Sequence, residues 1–239
     1  MTGSQVTEPR STNRPRAVVF DMDGVLVESE HLWERMWTRY AARHGHEWSA
    51  RDTATVQGMS SPEWSAYLGR VCGSSEPASE IERAVVDDMI AALDDGEIRL
   101  LDGAREMVTE VSATAPIALA SSAARRLIDA VLDRNGLTGH FSATVSSAEV
   151  PRGKPSPDVY TEAAHRLGLT GPDCAAVEDS GNGIRAAHAA GMSVVAVPNA
   201  AYPPKPEALE AATVVAESPH QVRRVLLSLL SPVVEGEGA

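Results

Sequence analysis

Ala17-Val18-Val19-Phe20-Asp21-Met22-Asp23-Gly24 is a four-residue apolar run that ends abruptly in two carboxylates and a glycine. Unbroken hydrophobicity over so short a stretch marks a strand covered on both faces, as strands of parallel sheets are. The pattern recurs. Ile117-Ala118-Leu119-Ala120 runs into Ser121, Ala175-Ala176-Val177 runs into Glu178, and 194–197 and 213–216 are similar. Between these runs lie segments of helical spacing at 104–113, 124–135, 157–167, 183–190 and 220–230. Gly136, Gly168 and Gly191 close three of them, supplying the left-handed residue that ends a helix. Alternating strands and helices imply right-handed crossovers, so the expected fold is α/β with a doubly wound parallel sheet. Ligands of such sheets gather at the carboxyl ends of the strands, where the polar residues just named stand.

The stretch 31–97 breaks the rhythm, with helical patterning, no strand and all four tryptophans, Trp33, Trp37, Trp48 and Trp64. It reads as a small helical bundle inserted after the first strand. The expected division is a core of residues 17–31 and 98–232, an inserted bundle of 32–97, and tails at 1–16 and 233–239. Trp33, Met36, Trp37 and Tyr40 fall at i, i+3, i+4 and i+7, a stripe that reads first as the packing face of that bundle.

Composition excludes several classes of function. The 239 residues carry 21 basic against 33 acidic side chains, a net charge of −12, with no Lys/Arg-rich run to meet the phosphates of a nucleic acid. The first apolar run is only four residues long, too short for a signal-peptide core or a membrane span. Two distant cysteines, Cys72 and Cys174, make no disulfide framework and fit a reducing compartment. A cytoplasmic protein is expected, a monomer or weak dimer that meets a small molecule rather than a nucleic acid or a membrane.

The chemistry lies at the strand ends. Asp21 and Asp23 leave the first strand on the same side, and burying two like charges there is costly unless a cation or a proton relieves it. Glu178-Asp179 adds two more acids at the end of another strand. Four oxygen donors without a Cys/His cluster specify a hard divalent ion, magnesium by preference. Lys154, in Gly153-Lys154-Pro155-Ser156-Pro157-Asp158, is one of only two lysines in a chain that elsewhere uses arginine, which points to a need for a compact ammonium. Ser121 and Ser122 offer hydroxyl and backbone donors suited to phosphate oxygens. Gly181-x-Gly183-x-x-Ala186 imitates a dinucleotide fingerprint, but Glu178 and Asp179 beside it would repel a pyrophosphate. Its glycines are expected instead to let backbone pass close to the acidic groups.

Asp21-x-Asp23-Gly24, Ser121, Lys154 and Glu178-Asp179, in this order and at strand ends, resemble the four motifs of the haloacid dehalogenase superfamily of phosphohydrolases. The resemblance spans about 17–230, and the inserted helices stand where that superfamily carries its cap. Asp21 to Ser29 and Gly153 to Asp158 look especially like the branch of beta-phosphoglucomutase and sugar-phosphate phosphatases. The resemblance implies that Asp21 is the nucleophile and Asp23 the acid and base. It implies magnesium on Asp21, Asp179 and the Asp23 carbonyl with Glu178 assisting, and phosphate oxygens held by Lys154 and Ser121. It further places Gly58, Met59 and Ser60 in a cap loop that meets the substrate, alongside Ser122.

Departures from related patterns narrow the reaction. The dehalogenases of the superfamily lack the second aspartate, so Asp23 favours phosphate over halide. No lysine occurs in 32–97, which removes the Schiff-base chemistry of the phosphonoacetaldehyde hydrolases. The cap histidine and cap-loop arginine of beta-phosphoglucomutase fall here at Trp33 and Ser61, leaving Arg83 as the cap cation to weigh. Hydrolysis of a small phosphate monoester is therefore expected ahead of hexose phosphate mutation, and ahead of a non-catalytic phosphate or metal sensor.

Overall fold

The computed structural model describes residues 14–56, 58–199 and 203–231. In chain order the elements are β1 (Ala17–Phe20), β2 (Val27–Glu28), α1 (Glu30–Arg43), α2 (Ala50–Val56), α3 (Ser61–Val71), α4 (Ala78–Asp94), β3 (Arg99–Leu100), α5 (Ala104–Thr114) and β4 (Ile117–Ser121). There follow α6 (Arg125–Arg134), β5 (Ala143–Ser146), α7 (Asp158–Arg166), β6 (Cys174–Glu178), α8 (Gly181–Ala189), β7 (Ser193–Ala196), α9 (Pro206–Leu209), β8 (Val214–Val215) and α10 (Pro219–Leu230).

Successive side chains of a strand point to opposite faces, and both faces are buried here. Val18, Phe20, Ile117, Leu119, Ala175 and Val177 pack on one side against α5, α6 and α10. Ala17, Val19, Ala118, Ala120, Ala176 and Val194 pack on the other against α7 and α8. The sheet has six strands in the order β5-β4-β1-β6-β7-β8, every pair parallel. The doubly wound α/β sheet read from the sequence is thus the observed fold. β1 lies at its centre, with Phe20 opposite Leu119 on β4 and Val177 on β6. The chain fills one side of β1 with β4 and β5 and then the other with β6, β7 and β8, so the crevice where a doubly wound fold binds its ligand opens above Asp21.

β2 and β3 pair antiparallel, Val27 with Leu100 and Glu28 with Arg99, and form a two-stranded ribbon through which the chain leaves and re-enters the core. The four helices α1–α4 lie between the two strands of this ribbon, a helical cap inserted after β1. Trp33, Met36, Trp37 and Tyr40 are buried with Trp64, Leu68, Ile81 and Met89, as the apolar stripe requires. The strands β2, β3 and β5 have no counterpart in the sequence reading. Of the amino-terminal tail, only residues 14–16 are described, and two of them are held: Arg14 donates to the Leu229 carbonyl at 3.1 Å and the Arg16 N–H to the Asp173 carbonyl at 2.7 Å. The rest of that tail and the tail 233–239 lie outside the described residues. Among the described residues no helix is long and apolar enough to cross a membrane.

Leu119 is fully buried in the middle of β4, whereas Val215 on the edge strand is 49% exposed. Leu119→Ala should lower the unfolding free energy by about 2–5 kcal/mol in urea denaturation. Val215→Thr should change it by less than about 0.5 kcal/mol. Comparable losses at the two positions would contradict this assignment of core and edge.

Candidate active site

Three central strands deliver the polar residues. Asp21 follows β1, Ser121 ends β4 and Glu178 ends β6, with Asp179 next in the chain. Lys154 comes from the loop before α7 and is buried at the same place. Its Nζ donates to Glu178 Oε1 at 2.6 Å and lies 2.9 Å from Asp21 Oδ1. The second approach is an ion pair that lacks hydrogen-bond alignment, so Asp21 Oδ1 is buried with no hydrogen-bond donor among the described residues. One ammonium therefore faces several carboxylates.

Glu178 is saturated. Its Oε1 accepts from Lys154 and from the Tyr160 hydroxyl at 2.8 Å, and its Oε2 accepts from the Asp179 N–H, the Ser180 N–H and the Ser180 hydroxyl, each at 3.0 Å. These bonds fix the turn from β6 into α8. Oxygen atoms of Asp21, Glu178 and Asp179 lie within 4.8 Å of one another. The Asp23 side chain stands apart from that group. Its Oδ1 accepts from the Ser29 hydroxyl and, at 3.1 Å, from the Trp33 indole N–H.

The electrostatics follow from burial. Removal from water raises the Asp21 carboxyl to about 8, with Lys154 opposing the rise and Glu178 and Asp23 adding to it. Asp179 is pushed far upward by burial and then by Glu178, Glu30 and Asp21. Burial also raises Asp23, against the lowering effect of its Ser29 and Trp33 bonds. Burial by itself would lower Lys154, but Asp21 and Glu178 reverse this and hold it firmly charged.

A hard divalent cation fits this arrangement. The donors are all oxygens, one buried Asp21 oxygen has no hydrogen-bond donor, and the backbone is pared back to make room. Gly24 has φ +73°, and a Cβ there would lie 1.9 Å from Asp179 Oδ2. A Cβ at Gly183 would lie 1.6 Å from Glu178 Oε1, which explains that glycine, whereas a Cβ at Gly181 would meet Ala208 at 3.3 Å and no acidic group.

A cavity of about 100 Å³ opens over Asp21, Asp23, Lys154 and Asp179, and Trp33, Trp37 and Trp64 of the cap line its far side. Of the residues singled out in the sequence for substrate contact, Gly58, Met59, Ser122 and Lys154 also line it, but Ser121 and Ser60 do not. The Ser121 hydroxyl accepts from the Ala123 N–H at 3.0 Å, capping the turn after β4. The Ser60 hydroxyl donates to Glu63 at 2.6 Å at the start of α3. The Ser122 hydroxyl donates to the Gly58 carbonyl at 3.4 Å, joining core to cap loop.

Sequence reasoning passed over Tyr160, Ser29 and Glu30. Tyr160 sits in the first turn of α7, where nothing in the sequence distinguishes it from core. Glu30 lines the cavity beside Asp179 and Asn199, and burial pushes its carboxyl up to about 7. Its place in the sequence, one residue after Ser29 at the start of α1, gives no sign of this.

A parallel sheet that buries acids and a lysine at its central strand ends, beneath a helical cap, is the frame of a phosphate-handling hydrolase. Residues 15–191 match the sequence model of the haloacid dehalogenase-like hydrolases, and the chain belongs to that family. It is 33% identical over 188 residues to hexitol phosphatase B of Escherichia coli, covering 76% of this chain and 83% of that protein. It is 31% identical over 184 residues to a bifunctional riboflavin kinase/FMN phosphatase of Arabidopsis thaliana, but this match takes in 76% of the chain and only 48% of that longer protein. Its fold is shared with a beta-phosphoglucomutase from Clostridium difficile, at TM-score 0.75 and 22% identity over 90% of this chain and 97% of that one. The protein is thus a hydrolase with phosphatase relatives.

Gly24→Ala should place a methyl group on the Asp179 carboxylate, since no small shift clears a 1.9 Å contact. Calorimetric titration of magnesium is expected to show binding weakened at least about tenfold, in line with other disruptions of a metal's supporting shell. Unchanged affinity would remove Asp179 from the cation site.

Proposed function

We propose that the protein is a magnesium-dependent phosphatase that hydrolyses a small phosphate monoester, of sugar-phosphate type, through an aspartyl phosphate on Asp21. The observation that carries this reading is the buried Asp21 carboxylate at the end of the central strand, 2.9 Å from Lys154 and facing the cavity.

Asp21 attacks phosphorus in line. The new bond joins its carboxylate oxygen to phosphorus, the bond to the leaving oxygen breaks, and that oxygen takes a proton from Asp23 to depart as an alcohol. Water then attacks phosphorus and gives its proton to Asp23, and the electron pair of the breaking bond returns to the Asp21 carboxylate as phosphate leaves. Lys154, fixed by Glu178, holds a phosphate oxygen and balances charge as it develops. Asp21, Asp179 and the Asp23 carbonyl would hold magnesium with Glu178 assisting, and the ion would supply charge neutralisation between nucleophile and phosphate. Ser121 acts in this reading by fixing the turn that presents the Ser122 and Ala123 backbone to the cavity.

Hydrolysis is favoured over mutation by the charge of the cavity wall. Among the described residues that line it, Lys154 is the one basic side chain, and Arg83 stands exposed on α4. A mutase must hold a second phosphate while its intermediate turns, and no second cation stands ready for it. The three tryptophans fit an uncharged leaving group with an apolar face, as sugars have. The expected partner is accordingly a small phosphorylated metabolite, with no nucleic acid or membrane. A reducing cytoplasm suits Cys72 and Cys174, both free thiols, and a monomer or weak dimer suits a site completed within one chain.

Incubation with magnesium and 4-nitrophenyl phosphate should release nitrophenol. Asp21→Asn should lower the rate at least about a thousandfold, as removal of a catalytic nucleophile does. Chelation by EDTA should stop turnover, and added magnesium should restore it. Turnover that survives both Asp21→Asn and EDTA would overturn the reading. With beta-glucose 1-phosphate and a bisphosphate activator, the expected product is free phosphate, and accumulation of glucose 6-phosphate would establish the mutase instead.

A further inference from the structure

Glu30 is the first residue of α1 and lines the cavity over the acidic groups, yet no step described above uses it. An acid in the first turn of a helix ordinarily does no more than complement the helix dipole. Glu30 is held more specifically than that role requires. Its Oε2 accepts from the side-chain amide of Asn199, in the segment that leaves β7. The register of β6 and β7 places that segment beside the acids of the cation site: Glu178 stands opposite Ala196, and the Val197 N–H donates to the Glu178 carbonyl at 2.8 Å. Asn199 therefore draws the Glu30 carboxylate to the same rim. There Glu30 lies close enough to Asp179 to raise its carboxyl, and close enough to Asp23 to be raised in turn.

Among the described residues no basic side chain pairs with Glu30, and no N–H or hydroxyl donates to its Oε1. A carboxylate without a base, set where Asp21, Glu178 and Asp179 already converge, suits the surroundings of a cation better than a protein interior. Magnesium keeps several of its waters when carboxylates bind it, and each such water is a donor that needs acceptors. The other acids have little acceptor capacity to spare. Glu178 is saturated, and Asp23 Oδ1 is taken by Ser29 and Trp33. Glu30 keeps that capacity. We propose that Glu30 is a further residue of the cation site: oriented by Asn199, its carboxylate accepts hydrogen bonds from water that a magnesium ion retains beside Asp179. Such supporting groups orient a metal's surroundings and raise its affinity without touching it. The inference deepens the phosphatase reading and rests on it for the identity of the ion.

Calorimetric titration of magnesium into the whole chain, without substrate, reads this apart from turnover. Glu30→Gln keeps the shape of the side chain and removes its charge, and magnesium affinity should fall about 10- to 100-fold, the scale on which supporting groups act. Loss of a nearby charge would by itself weaken binding, so two further variants separate position from field. Asn199→Ala changes no charge, yet it should cost about tenfold, the lower end of that scale. Added to Glu30→Gln it should cost much less, because the two side chains act as one unit. Glu30→Asp keeps the charge but withdraws it by one methylene, and its affinity should fall between those of Glu30→Gln and the unaltered protein. Unchanged affinity in Glu30→Gln would overturn the proposal. So would a loss confined to Glu30→Gln, with Asn199→Ala and Glu30→Asp binding as the unaltered protein does. A raised KM for the phosphate ester at unchanged magnesium affinity would assign Glu30 to the substrate and overturn it too. An unaltered protein that binds no magnesium would defeat the phosphatase reading as well, whereas failure in the variants alone leaves that reading standing.

Discussion

A single ammonium among buried carboxylates sets the terms for the rest of the molecule. Lys154 contacts Asp21 and Glu178 where water cannot screen either pair, so its positive charge is stabilised although burial opposes it. Removing one member of such a group leaves the others uncompensated, so the four acids and the lysine form one electrostatic unit. Burial pushes Asp21 and Asp179 upward, and the neighbouring carboxylates, more numerous than Lys154 can balance, add to the rise. A cation or a phosphate group brought with its own counter-ion is the natural complement to this imbalance.

The surrounding structure serves to hold that arrangement without adding to its cost. Glu178 spends all its acceptor capacity on Lys154, Tyr160 and the first N–H groups after β6, so the second acid of the pair is rigid while Asp21 keeps an oxygen free of hydrogen bonds. Gly24 and Gly183 withdraw their side chains so that backbone and carboxylate can approach. The sheet provides the common level: the register that sets Phe20 opposite Leu119 and Val177 brings three strand ends to one rim.

The cap meets the core through a shared apolar cluster and through polar contacts. Beyond the ribbon of β2 and β3, exposed ion pairs such as Arg134 with Asp94 at 2.8 Å cross from core to α4, and pairs of that kind contribute about 1 kcal/mol or less. Ser122 meets the cap loop at Gly58, and Trp33 meets Asp23. The interior of the cap is held by tryptophan packing.

The order of strands and helices was legible because short apolar runs ending in Asp21, Ser121 and Glu178 are the direct imprint of strands buried on both faces. β5 escaped because an edge strand needs little apolar cover, and in Ala143-Thr144-Val145-Ser146 only the last two residues are buried. β2 and β3 escaped because two residues carry no period. Residue types and spacing likewise marked Asp21, Asp23, Lys154, Glu178 and Asp179 as chemically charged with meaning, since acids and a rare lysine at strand ends have few other uses. Which oxygen faces which donor was beyond the sequence. That Ser121 and Ser60 cap turns while Ser122 lines the cavity, that Tyr160 supports Glu178, and that Trp33 both packs and holds Asp23 depend on distances between segments far apart in the chain. Local sequence determines periodicity and the chemistry of each side chain, but hydrogen bonds are directional over a few tenths of an ångström, and only tertiary packing sets positions that finely.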